Sequence, residues 1–96
     1  MTRYYLEVLQ EGLSIEIDSD IHYHHQFKVG DIITINMYVD KGPKVVFGPF
    51  EYDAVFTLDW KEDVSSRWSV AGCITKGYLR DMTIQIERQK KLDLLL

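Results

Sequence analysis

The sequence has little of several features that define common classes of protein. It holds one cysteine, Cys73, and two prolines among 96 residues. A lone cysteine excludes an intramolecular disulfide and a metal site made of cysteines alone, and we interpret Cys73 as a small buried thiol. No apolar run approaches the ~20 residues needed to span a bilayer, and the amino-terminal residues lack the pattern of a secretory signal. We therefore expect a cytoplasmic protein without a membrane partner.

Positive charge is also scarce. Eleven lysines and arginines face fifteen aspartates and glutamates, which gives a net charge of −4. A protein that binds nucleic acid mainly through phosphates usually has the opposite sign. The charges are also segregated, because an acidic stretch without a base contains Glu11, Glu16, Asp18 and Asp20. Bases concentrate instead near the carboxyl end, at Lys76, Arg80, Arg88, Lys90 and Lys91.

Apolar residues recur with period two through most of the chain, which is the spacing of a β-strand that buries one face. Turn signals at Gly30-Asp31, at 40–43 and at Gly48-Pro49 separate the strand patterns. Apolar residues on both faces of the third pattern indicate a central strand. The predicted strands are 3–9, 13–17, 29–39, 44–60 and 79–88.

The alternation also predicts which side chains face inward. Those of the fourth strand are Phe50, Tyr52, Ala54, Phe56, Leu58 and Trp60, and those of the last are Met82, Ile84 and Ile86. Residues 61–72 lose the alternation, and Asp63 or Ser65 would cap a short helix there, although a loop fits equally well.

Few strands, no long helical period and no internal repeat together predict the fold class. We expect a mainly β protein: a small five- to six-stranded barrel or a strongly twisted antiparallel sheet, with at most one short helix. Residues 1–88 would form this single domain, and 89–96 a tail. The leucines of that tail, Leu92 and 94–96, would pack on the domain or join copies of the chain as a homo-oligomer.

Two groups of side chains are candidate sites. His22 and His24 lie near acids and, on a strand, would share a face as metal ligands, but a third ligand must come from elsewhere and an exposed polar loop is the simpler interpretation. Arg67 and Trp68 lie where periodicity is lost. This pair has the composition of a partner contact.

One segment resembles a known family. Residues 27–35, Phe-Lys-Val-Gly-Asp-Ile-Ile-Thr-Ile, are similar to the Phe-x-Val-Gly-Asp segment of ASCH domains, a branch of the PUA-like barrels. Gly12 to Asp18, Phe47-Gly48-Pro49 and Gly77-Tyr78 follow the order of the family. The resemblance implies a PUA-like barrel that faces RNA or a nucleotide. Catalytic relatives use a threonine, a lysine and a glutamate as an amidohydrolase site; here Ser14, Leu13 and Glu16 occupy those positions, so the lysine is not matched.

These observations favour a binding protein over an enzyme. The sequence contains no phosphate-binding glycine loop, nucleophile elbow or Cys-x-x-Cys pair, so we expect no cofactor. The first hypothesis is a noncatalytic module that binds a protein, as a phage-type inhibitor or adaptor does, through the acidic stretch and through Arg67 and Trp68. The second is an RNA or nucleotide binder that uses Arg67, Trp68, Tyr78 and Arg80.

Overall fold

The structure, a computed structural model, describes residues 1–17, 23–58 and 67–95. Its strands form two antiparallel sheets, which confirms the mainly β fold class. The five-stranded sheet has the order β6-β5-β4-β1-β9 and the four-stranded sheet the order β3-β2-β7-β8, and no ladder joins the two within the described residues. The strands are β1 (Thr2–Val8), β2 (Leu13–Ile17), β3 (Tyr23–Gln26), β4 (Ile32–Tyr38), β5 (Gly42–Phe47), β6 (Phe50–Asp53), β7 (Phe56–Leu58), β8 (Arg67–Trp68) and β9 (Leu79–Asp81).

The central strand lies where the alternation predicts it. β4 pairs with β1 on one side and with β5 on the other, and Ile33 and Ile35 are buried. Tight turns enter and leave this strand at Gly30 (φ +94°) and Gly42 (φ +74°). Because residues other than glycine rarely adopt a positive φ, both turns depend on these glycines.

A single apolar cluster fills the space between the two sheets. It combines Leu6 and Val45 of the five-stranded sheet with Leu13, Ile15 and Phe56 of the four-stranded sheet, all at most 1% exposed. Aromatic rings extend the cluster: Phe27 stacks on Phe47 at 6.2 Å, and the His25 ring meets both of them edge-on. This core fixes which face of each strand remains outside.

The predicted fourth strand is divided in the structure. Residues 44–60 contribute to β5, β6 and β7, and the chain changes sheet between Asp53 and Phe56. Tyr52, Ala54 and Phe56 face the core as predicted. The inward prediction for Phe50 is wrong, because this side chain lies at the edge of the sheet beside the Gly48-Pro49 turn and is 62% exposed.

The described residues contain two helices, whereas the sequence predicts at most one. The first, α1 (Val70–Thr75), begins at Ser69, whose hydroxyl accepts a hydrogen bond from the Gly72 amide at 3.1 Å. Asp63 and Ser65, the predicted caps, lie outside the described residues.

The predicted last strand is wrong beyond its first three residues. Strand β9 ends at Asp81, and α2 (Thr83–Leu95) follows, so Ile84 is 64% exposed instead of inward. The Asp81 carboxylate accepts a hydrogen bond from the Thr83 amide at 2.9 Å and caps the new helix. Helix α2 packs against β1, and the predicted boundary between 88 and 89 falls within it.

Candidate macromolecule-binding surface

Alternation along the strands creates a polar surface on the outside of the five-stranded sheet. Because Leu6 and Val8 of β1 point into the core, the odd-numbered residues of β1 point outward. The cross-strand register continues this surface over β4, β5 and β6. We call this surface the tyrosine face; it comprises Arg3, Tyr5, Asn36, Tyr38, Lys44, Glu51 and Asp53, with Lys90 of α2 against it.

One end of the tyrosine face is cationic. The Lys90 ammonium donates a hydrogen bond to the Tyr5 hydroxyl at 2.7 Å and lies 4.5 Å from the centre of the ring. Arg3 lies two residues from Tyr5 on the same face of β1 and adds a second positive charge near the hydroxyl. The Lys90 hydrogen bond is the largest cause of a lowered Tyr5 pKa, to which the charges of Lys90 and Arg3 add, because donors and positive charge favour the phenolate.

Asn36 connects this end to the middle of the tyrosine face. It lies opposite Arg3 in the β1–β4 register, and its side-chain oxygen accepts a hydrogen bond from Arg3 Nε at 2.8 Å. The residue is 3% exposed, so its amide needs partners within the protein. Tyr38 follows two residues later on the same face of β4. The Arg3 guanidinium is therefore held in place by a buried group.

The other end of the tyrosine face is anionic. The Tyr38 hydroxyl donates a hydrogen bond to Glu51 Oε1 at 2.7 Å, and this bond is the largest cause of a raised Tyr38 pKa, because it stabilises the protonated phenol. Lys41 lies above the Tyr38 ring, 5.7 Å from its centre. Three side-chain hydrogen bonds therefore lie across this surface, between Lys90 and Tyr5, between Arg3 and Asn36, and between Tyr38 and Glu51.

Two ion pairs neutralise the remaining charges near this surface. Lys44 of β5 pairs with Asp53 of β6, and Arg80 of β9 pairs with Glu7 of β1. Neither Arg3 nor Lys90 forms an ion pair with a carboxylate within residues 1–17, 23–58 and 67–95.

The two tyrosines are expected to ionise at different pH values, Tyr5 below and Tyr38 above the ordinary pKa of 10.0. Resonances of ¹³C-labelled tyrosine would follow each ring through the titration. Lys90→Gln should move the pKa of Tyr5 up and leave Tyr38 in place, whereas Glu51→Gln should move the pKa of Tyr38 down. By linkage, the Tyr5 contribution to folding stability is present above pH 10 and is lost as the pH falls through its lowered pKa.

Tyr38 has the opposite linkage. Its contribution to stability is present below pH 10 and is lost as the pH rises through its raised pKa. Coincident titration of the two rings in the unmodified protein would contradict the hydrogen bonds described above.

The predicted acidic stretch is only partly described. Glu11 is exposed in the turn between β1 and β2, and Glu16 lies on β2 opposite His24 of β3. Asp18, Asp20 and His22 lie outside the described residues. Within the described ranges, no three histidine, cysteine, aspartate or glutamate side chains gather where they could hold a metal ion.

The other predicted contact residues lie on two different sheets. Arg67 and Trp68 form β8, where they pair with Thr57 and Phe56. Arg80 is on β9 of the five-stranded sheet, exposed and paired with Glu7. Tyr78 is half-buried and packs against the core. The structure therefore does not bring the four residues of the predicted RNA-binding set together on one strand pair.

Neither Ser14, at the threonine position of the family, nor the thiol of Cys73 is placed to act as a nucleophile. Ser14 is 8% exposed, and its hydroxyl donates a hydrogen bond to the Thr57 carbonyl at 3.2 Å. Cys73 is 1% exposed, and burial raises the pKa of its thiol to about 11. A thiol with this pKa stays protonated at neutral pH and is a poor nucleophile.

Sequence reasoning missed the tyrosine face. The period-two pattern contains its outward residues, since Arg3 and Tyr5 alternate with buried Leu6 and Val8 of the same strand. The partners of these residues are distant in the sequence: Asn36 is 33 positions from Arg3, and Lys90 is 85 positions from Tyr5. The strand pattern alone cannot supply these pairings, because they depend on register and on the position of α2.

Comparison with protein-family models, curated proteins and solved structures returned no match to this chain. Among the described residues, neither helix has the length and apolar character to cross a lipid bilayer.

Proposed function

We propose that this chain is a noncatalytic interaction module that binds a macromolecular partner, a protein first, through the tyrosine face. The observation that carries the proposal is the set of three hydrogen bonds, Lys90 to Tyr5, Arg3 to Asn36 and Tyr38 to Glu51, which fixes arginine, asparagine and tyrosine side chains on an outer sheet surface. A phage-type inhibitor or adaptor is one form such a module would take.

The composition of the tyrosine face fits a protein partner. Tyrosine and arginine are enriched among the residues that contribute most to protein–protein binding. Tyr5 and Tyr38 are already held by Lys90 and Glu51, so a partner would lose little side-chain entropy when it binds them. The cationic and anionic ends of the face would orient a partner of complementary charge.

The states of the candidate nucleophiles support a noncatalytic role. The Ser14 hydroxyl is engaged with a backbone carbonyl, and the Cys73 thiol is buried with a raised pKa. A residual hydrolase that uses Ser14 and Glu16 would have to free that hydroxyl and expose it to substrate first.

The second candidate function is binding of RNA or a nucleotide. One observation favours it: Lys90 bonds the Tyr5 hydroxyl, Arg3 lies beside Tyr5 on the same face of β1, and neither cation has a carboxylate partner within the described ranges. Cations beside an aromatic ring are typical of surfaces that bind single-stranded nucleic acid. If phosphate contacts dominate, affinity should fall steeply as salt rises.

A pull-down can distinguish the two candidate functions. Lysate, treated or not treated with nuclease, is passed over the immobilised protein, and the retained partners are compared. The unmodified chain is compared with Tyr38→Ala and with a control, Val39→Ala, at a neighbouring residue that is fully exposed at the hairpin tip. We expect a protein that withstands nuclease and is retained by the unmodified chain and the control but lost from Tyr38→Ala. The mass of the intact complex would give its stoichiometry.

Equal retention by all three proteins would contradict a role for the tyrosine face. Loss of all bound material after nuclease treatment would instead favour the RNA candidate. The variants should keep the circular dichroism spectrum of the parent chain, because Tyr38 hydrogen-bonds Glu51 at the surface and Val39 has no buried area to lose.

A further inference from the structure

We infer that Arg3, Tyr5 and Lys90 form a binding site for a phosphate group, free or esterified. The inference adds a ligand class to the proposed function. It rests on that function only for the identity of the macromolecule that carries the phosphate. Binding of phosphate itself depends on the three side chains alone and is measured without any partner.

The donors of this site converge from two elements. Arg3 and Tyr5 are alternate residues on the outer face of β1, and α2 brings Lys90 to the Tyr5 hydroxyl at 2.7 Å. Arg3 uses Nε to bond Asn36, so the donors of its two terminal nitrogens are not needed for that contact. A guanidinium, an ammonium and a phenol together offer several donors to one anion, as a tetrahedral phosphate with many acceptor positions requires.

The charges of the site are not balanced by the protein around it. Lys90 hydrogen-bonds an uncharged hydroxyl, Arg3 lies two residues along the same face of β1, and neither cation forms an ion pair with a carboxylate within residues 1–17, 23–58 and 67–95. Acids are abundant in this chain, with fifteen in all. Even Glu7, two positions from Tyr5 on the same face of β1, pairs with Arg80 instead. A bound anion would supply the missing negative charge.

A second lysine–tyrosine contact in the same molecule provides a comparison. Lys41 lies over the Tyr38 ring at 5.7 Å, but the Tyr38 hydroxyl donates to the Glu51 carboxylate. The two tyrosines therefore differ in the sign of the charge beside the hydroxyl, which the opposite directions of their pKa shifts reflect. The Tyr5 hydroxyl is bonded by a cation and the Tyr38 hydroxyl by a carboxylate, so Lys41→Gln is a control with the same loss of charge beside a hydroxyl that an anion already occupies.

The test is a titration of the isotopically labelled full chain with inorganic phosphate, at constant ionic strength, followed by NMR. We expect saturable shifts at Arg3, Tyr5 and Lys90. Arg3→Gln and Lys90→Gln should each weaken binding by about tenfold, the usual effect of losing one charge-assisted hydrogen bond. Lys90→Arg should retain binding, and Lys41→Gln should leave the affinity unchanged. Bound phosphate should also raise the pKa of Tyr5, since a nearby anion disfavours the phenolate.

Two further ligands distinguish the sources of an anion. Acetate at equal ionic strength should compete poorly, and a short single-stranded oligonucleotide should shift the same residues if a nucleic acid backbone supplies the phosphate. Absence of saturable shifts at Tyr5 would overturn the inference by showing that there is no site. Equal weakening of phosphate binding by Lys41→Gln would overturn it by showing only diffuse electrostatic attraction. Phosphate binding without any retained macromolecule would overturn the proposed function and leave this site intact.

Discussion

Phe56→Ala is expected to lower the free energy of unfolding by about 3–5 kcal/mol, the usual cost of removing a fully buried phenylalanine ring. Phe56 is 0% exposed at the centre of the apolar cluster, and its ring lies 6.2 Å from that of Phe27. Since small domains have a total stability of about 5–15 kcal/mol, the variant should be close to unfolding. Urea denaturation followed by tryptophan fluorescence measures the difference.

Phe50→Ala is the matched control, because it deletes the same ring six positions earlier. Phe50 is 62% exposed, so its loss should change the free energy of unfolding by about 0.5 kcal/mol or less. The alternation of the sequence alone would give both residues the same inward role. Equal destabilisation by the two substitutions would restore that prediction and contradict the exposed position of Phe50.

Gln89→Pro is expected to disrupt α2 and to leave the two sheets folded. Proline inside a helix costs about 3 kcal/mol, because it removes a backbone hydrogen bond and clashes with the preceding turn. Helix α2 packs on β1 and contributes none of the buried apolar residues of the core, so the core does not depend on it. The helical part of the far-ultraviolet circular dichroism spectrum should fall, while cooperative unfolding of the remaining structure persists.

Gln89→Ala is the control for this substitution. It removes the side-chain hydrogen bond from Gln89 to Asp93 but keeps a strong helix former at the same position. The helical signal should therefore survive. A spectrum without a helical part in the unmodified protein, or one unaffected by proline at 89, would support the strand that the sequence predicts up to residue 88.

The core strands could be predicted because one physical signal determines them. In β2, apolar side chains alternate with polar ones, and Leu13 and Ile15 are buried as the pattern requires. The strand β4 has apolar residues on both faces and glycine turns at both ends, and it lies between two strands as that pattern predicts. Burial of one strand face is local information, which a single sequence contains.

Helix α2 was mispredicted because its first residues fit two patterns. Ile84 and Ile86 alternate with polar residues, which is typical of a strand, and this signal outweighed the helix formers that follow. The Asp81 cap at Thr83 and the absence of glycine and proline after residue 82 were the competing signals. Tertiary pairing decides between them, because β1 accepts only three residues of β9 before the helix begins.

The binding surface was harder to predict than the fold. Composition alone points to Arg67 and Trp68 as contact residues. The tyrosine face instead arises from sheet register and from contacts between distant segments. The contact roles of Glu11, Glu16, Arg67 and Trp68 stay predictions. A pattern in sequence shows that Tyr5 points outward, but not that Lys90 meets it.

The contact between Tyr5 and Lys90 also has a consequence for biosynthesis. Ribosomes make proteins from the amino end, and these two residues are 85 positions apart. A nascent chain thus displays Arg3 and Tyr5 long before the lysine exists, and a product that terminates early in α2 never acquires it. The cationic end of the tyrosine face is therefore complete only after the whole of α2 has left the ribosome.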